Sequence, residues 1–125
     1  MAAEQYVAAE QRIHLQRLLD IEQWQHELPW QFFRPGVEIH RLYQQPGGST
    51  CALIRYAPGA AVPLHQHRGY EHILVLSGGQ SDSNGHYDTG SLLISPPGSQ
   101  HQIASEKGCI VLAIWQRDES FLQTD

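Results

Sequence analysis

From Val37 onward the apolar positions fall into short runs, each closed by Gly or Pro. Val37 to Tyr43 reads as a strand before a Gln45-Pro46-Gly47-Gly48 turn. Thr50 to Tyr56 follows, closed by Ala57-Pro58-Gly59-Ala60, and His72 to Leu76 is closed by Ser77-Gly78-Gly79. A Ser83-Asn84-Gly85 turn precedes the Tyr87 region, and Thr89-Gly90 precedes Ser91 to Ser95. Pro96-Pro97-Gly98 makes a corner before His101 to Ala104. Lys107-Gly108 leads into Cys109 to Trp115, the most apolar strand. Short strands at regular spacing with Gly and Pro turns predict an all-β sandwich or small barrel.

The start of the chain differs. Residues 1 to about 20 are rich in Ala, Gln and Glu, with apolar points at Val7, Ile13, Leu15, Leu18 and Leu19. This reads as a short helix or frayed start, then an extended piece near Ile13 to Ile21. Leu28-Pro29-Trp30 and Arg34-Pro35-Gly36 break any helix, since Pro disfavours helical geometry in the residue before it. The expected organisation is an N-terminal extension over 1–28, one barrel domain over 29–117 and a tail over 118–125.

With 125 residues the chain fits one domain, and 41% hydrophobic against 17% charged residues makes it globular. The net charge of −5, with Lys and Arg scattered, argues against a nucleic-acid or anionic-membrane surface. No apolar run approaches the roughly 20 residues of a membrane span. Met1 to Tyr6 lacks the basic start of a signal peptide, so a cytoplasmic location is expected. Cys51 and Cys109 sit in apolar runs and read as small buried hydrophobes. Eight histidines remain as the unusual feature.

His65 and His67 are two apart, so on an extended strand both imidazoles share a face. Glu71 has the same parity if Arg68-Gly69-Tyr70 only bends that strand. Imidazole and carboxylate together suit Zn, Fe, Mn, Ni or Cu. His101, after its Pro-rich corner, is the candidate fourth ligand. Without a cation, three His and a Glu would converge at a desolvation cost with little return. His72 has opposite parity and is expected to face away from the site. His14, His26, His40 and His86 read as surface or hairpin residues. Arg55 reads as a surface partner of Asp or Glu rather than a ligand clamp. Asp82 and Asn84 read as turn organisers, and Tyr70, Ile73, Ile103 and Trp115 as pocket walls. Leu74 and Leu76 alternate with Ile73 and Val75, so this strand is buried on both faces. A second layer is therefore expected over it, provided by a partner subunit.

These residues resemble the cupins. Gly59, His65, His67, Glu71 and Gly78 match every position of the first cupin motif. Gly90, Pro96, Gly98 and His101 match the second, with Ser105 where Asn is usual. Leu53 to Gly59, Ser81 to Tyr87 and Pro96 to His101 look like the ChrR-type subgroup, the C-terminal domain type of certain anti-sigma factors. The resemblance implies a small cupin (jelly-roll) barrel and a divalent metal, zinc first, held by His65, His67, Glu71 and His101. Iron, manganese or nickel are alternatives. The subgroup's sigma binding rests on a separate N-terminal zinc domain whose pattern residues 1–30 lack, so sigma inhibition is not expected. The expected role is a stand-alone, homodimeric cupin that binds or senses a small molecule. A metal-dependent dioxygenase acting on a small diketone or enol is the alternative, and a structural oligomer component is a third.

Overall fold

The computed structural model describes residues 12–116 and the backbone of 120–121. Ten strands run in chain order among them: β1 (Gln31–Arg34), β2 (Val37–Gln44), β3 (Thr50–Tyr56), β4 (Ala60–Gln66), β5 (Glu71–Asp82), β6 (Gly85–Asp88), β7 (Leu92–Ser95), β8 (Gln100–Ser105), β9 (Cys109–Trp115) and β10 (Ser120–Phe121). The neighbour order is β1-β2-β3-β9-β5-β8-β4-β10, with β6 and β7 also paired to β5. Every pairing is antiparallel.

The sheet curls because β5 belongs to both halves. Glu71 to Gly78 pairs with β9, and Gly79 to Asp82 pairs with β6. A register shift between Val75 and Ser77 marks the bend, as bulges do where a strand turns a barrel corner. Gly78 follows that bend at φ +72, and a Cβ there would run into the carbonyl oxygen of Gly108. Only glycine fits. The inner faces bury Val37, Ile39, Ile54, Tyr56, Val62, Ile73, Val75, Ile103, Val111 and Ala113 as one core.

The outer layer departs from expectation. Ile13 to Ile21 is not one extended piece: helical turns run from Leu18–Asp20 through α1 (Ile21–Trp24) to Gln25–Glu27. Leu15, Leu18, Ile21, Trp24 and Leu28 recur at helical spacing and pack on Leu53, Leu76 and Ile110, with Leu74 and Leu112 alongside. The chain's own N-terminal segment thus covers Leu76, where a partner subunit was expected. Trp24 Nε1 donates to the Arg17 carbonyl at 2.8 Å, and Arg17 takes a left-handed φ of 54 to start the turn. The helix or frayed start expected before Ile13 lies mostly outside the described residues. No helix among the described residues is long and apolar enough to cross a membrane.

Two further pieces escaped the strand pattern. β1 falls between the two Pro breaks and pairs with β2. β10 lies within the expected tail and pairs Ser120 with Gln66 and Phe121 with His65.

Candidate metal centre

His65, His67, Glu71 and His101 come together inside the curled sheet, their ligand atoms all within 4.8 Å of one another. The route for Glu71 differs from the parity argument. The chain leaves β4 after Gln66, and Glu71 is the first residue of β5, a different strand. Glu71 reaches the site from across the barrel. Its side chain and those of His65 and His67 are buried, and His101 is 10% exposed.

Backbone stitching between the two histidine-bearing segments sets this geometry. His65 pairs directly with His101 across β4 and β8. The His67 amide donates to the Ser99 carbonyl at 2.9 Å, and the Gly98 amide donates to the His67 carbonyl at 2.7 Å. Gly98 has φ +86, so the corner before His101 turns through a conformation that other residues resist. At the far end of the same strand pair, the Gly59 amide donates to the Ser105 carbonyl. Ser105 is fully buried and its hydroxyl donates to the Gly79 carbonyl at 2.6 Å. The serine that departs from the usual Asn therefore ties β8 to β5 without touching the site.

Hydrogen bonds on the far side of two imidazoles decide which nitrogen faces inward. His65 Nδ1 donates to the Pro63 carbonyl at 2.8 Å. His67 Nδ1 lies 2.9 Å from Ser99 Oγ, whose own hydroxyl proton goes to the Pro96 carbonyl at 2.6 Å. Ser99 must then accept from His67. With Nδ1 carrying the proton, Nε2 of each neutral ring presents its lone pair to the centre. His67 Nε2 lies 3.2 Å from His101 Nε2 and 2.9 Å from Glu71 Oε1, and His101 Nε2 lies 3.6 Å from that oxygen. Lone pairs this close repel one another unless a proton or a cation is shared among them. Three imidazole nitrogens and a carboxylate are a donor set that suits a divalent ion.

Ile73, Ile103 and Trp115 line the space beside His65 and Glu71, as expected for walls. Tyr70 does not; it is 44% exposed, and its amide donates to Gln116 Oε1. Phe33 supplies a wall that the sequence reading missed, because β1 itself was missed. The cavity is about 20 Å³, room for about one water molecule.

The remaining polar residues divide as follows. Arg55 pairs with Glu38 at 2.6 Å, donates to Gln25 Oε1 at 3.2 Å and lies over the Trp30 ring at 4.4 Å. It is a clasp between the N-terminal segment and the sheet. His86 joins Ser81 at 2.9 Å and Asp88 at 2.8 Å on the exposed β5–β6 hairpin. His14 and His26 are exposed and His72 is half-buried on the outer face. His40 corrects the surface expectation: it is buried opposite Leu53, and burial lowers its pKa. Asp82 organises its turn, accepting the Asn84 amide at 2.8 Å, and also accepts the Tyr87 hydroxyl at 2.8 Å. That bond, then burial and the nearby charge, raise the Tyr87 pKa.

A family model for the ChrR Cupin-like domain matches residues 20–116. The chain belongs to the ChrR Cupin-like domain family. A curated relative, the anti-sigma-E factor ChrR of Cereibacter sphaeroides, is 39% identical over 81 residues, covering 62% of this chain and 38% of that protein. Rhodobacter sphaeroides ChrR, solved in complex with SigE, is 28% identical with a TM-score of 0.68 over 76% of this chain and 53% of that one. The chain thus spans about half or less of these ChrR proteins. An acetylacetone dioxygenase from Acinetobacter johnsonii has a TM-score of 0.73 at 14% identity, covering 94% of this chain and 80% of that one. At that identity the likeness is one of cupin fold. The family match spans both motifs, from Gly59 to Ser105.

Proposed function

We propose that this ChrR-like cupin binds one divalent metal ion through His65, His67, Glu71 and His101, and that the site binds or senses a small molecule. The observation that carries the reading is that Nδ1 of His65 and of His67 is taken up by the Pro63 carbonyl and the Ser99 hydroxyl, which leaves Nε2 of each ring for the cluster with Glu71 and His101. A bound ion supplies a Lewis-acidic centre; the chain fixes the rings, buries the donors and limits what else enters. Zinc is the proposed ion, with iron, manganese or nickel as alternatives. Four protein ligands complete a tetrahedral zinc shell. A cavity of about 20 Å³ has no room for a diketone or enol beside the ion, which sets the dioxygenase reading second; a molecule sensed here is about the size of water or displaces a ligand.

Elemental analysis of protein purified without added metal tests the assignment. The expected result is one zinc per chain. Absence of any bound metal, with none taken up on titration, would overturn it. Iron or manganese in the site, with oxygen consumed alongside a diketone, would move the chain to the enzyme reading.

We further propose a cytoplasmic homodimer, joined on the outer face of the sheet. Leu92 and Ile94 on β7 remain 59% and 55% exposed there, and exposed apolar side chains grouped on one strand are what an interface covers. Light scattering at micromolar concentration should give twice the chain mass; a monomer mass would sink the dimer. The sigma-factor complex is a property of the Rhodobacter protein, and none is proposed here.

A further inference from the structure

His65 and His67 each place Nδ1 against a neutral acceptor, the Pro63 carbonyl and the Ser99 hydroxyl. His101 differs. Its Nδ1 faces Asp82 Oδ2 at 3.8 Å, a contact longer than a hydrogen bond. The Asp82 side chain is only 7% exposed. Its other oxygen, Oδ1, already accepts from the Asn84 amide and the Tyr87 hydroxyl, so Oδ2 is the oxygen left for His101. Asp82 ends β5, the strand that begins with Glu71. One strand therefore delivers two buried carboxylates to opposite edges of the site.

We propose that Asp82 is a positioning residue of the metal centre, its Oδ2 attracting the Nδ1–H of His101 so that His101 Nε2 is held toward the ion. The proposal rests on the metal reading above. Two physical effects follow from it. A carboxylate behind an imidazole fixes its tautomer and raises its basicity as a ligand. A divalent ion with three neutral imidazoles and Glu71 alone also leaves one positive charge buried, and Asp82 cancels it. A buried centre without that balance carries a desolvation cost. Tyr87 and Asn84 then act one step further out, by holding the carboxylate in place. The β5–β6 hairpin is thus part of the site rather than a connection beyond it.

The test is zinc affinity of the full chain, measured by competition with a chromophoric chelator, for the unaltered protein and Asp82→Asn. The variant keeps an oxygen for Asn84 and Tyr87 but loses the charge. Its zinc binding should weaken about 10- to 100-fold, the range for an outer partner of a metal-ligating histidine. Thermal unfolding of the metal-free proteins should coincide. Equal zinc affinity in the two proteins would overturn the role of Asp82 while leaving the metal reading standing. Failure of the unaltered chain to bind zinc would instead overturn the metal reading, and this proposal with it. Should Asp82→Asn not fold, nitrogen-resolved NMR of the unaltered zinc-loaded chain decides. A His101 ring Nδ1 proton shifted downfield and protected from exchange is expected, and its absence would overturn the proposal.

Discussion

His65 and His101 are direct cross-strand partners, and their ring centroids lie 4.5 Å apart. Each comes from a different motif, so this one register position joins the two halves of the site. His67 lies just beyond β4 and is held by the Ser99 backbone rather than by strand pairing. The ring contacts therefore depend on two short segments being locked together. A one-residue slip of β4 against β8 would turn His65 to the opposite face.

His67→Ala removes the ring whose Nε2 lies 2.9 Å from Glu71 Oε1 and 3.2 Å from His101 Nε2, while leaving its backbone bonds to Gly98 and Ser99 intact. We expect the barrel to stay folded by circular dichroism and zinc affinity to fall by more than about 100-fold, beyond the loss expected for an outer partner. Full metal occupancy of the variant by elemental analysis would remove His67 from the ligand set.

Gly78→Ala tests the bend that brings β5 from one half of the sheet to the other. The added methyl meets backbone, the Gly108 carbonyl, and φ +72 is itself unfavourable for alanine. The expected destabilisation is at least about 2 kcal/mol in urea unfolding, from strain and overpacking together. A loss under about 0.5 kcal/mol would mean that the β8–β9 connection moves aside freely.

The site was legible because its residues obey fixed spacings: His65 and His67 share parity, and Gly98 and His101 stand at their motif distance. The reason given for Glu71 was incomplete, since parity along one strand cannot reveal that the chain crosses the barrel at Arg68 to Tyr70. Phe33 and β1 were hidden between two proline breaks, which read as loop. The N-terminal layer was written at helical spacing in Leu15, Leu18, Ile21, Trp24 and Leu28. Leu19 and the scattered polar residues blurred that period toward an extended reading. Asp82 read as a turn residue and is one, yet no local pattern tells where its second oxygen points.

Cys51 should be inert in the folded protein. Burial pushes its pKa up to about 11 from 9.0, so almost no thiolate is present at neutral pH. A thiol-reactive dye at pH 8 should label it only after unfolding; fast labelling in native buffer would contradict its burial. The folded pKa is raised, so the unfolded chain ionises first, and this contribution to stability is kept below pH 9 and lost as pH rises from 9 toward about 11.

Ile21→Ala tests whether the N-terminal segment is an integral layer or an appendage. Ile21 is fully buried, packed with Trp24, Leu28, Leu53, Leu76 and Ile110. Truncating such a side chain costs about 2–5 kcal/mol when its neighbours cannot collapse into the gap. The clasp of Arg55 with Glu38, Gln25 and Trp30 holds the segment's other end and limits that collapse. We therefore expect one cooperative unfolding transition, shifted to lower denaturant by an amount in that range. Two separate transitions, or a shift below about 0.5 kcal/mol, would show that the barrel stands without this layer. In that case Leu53, Leu76 and Ile110 would require another cover, and the partner-subunit layer expected over β5 would have to supply it.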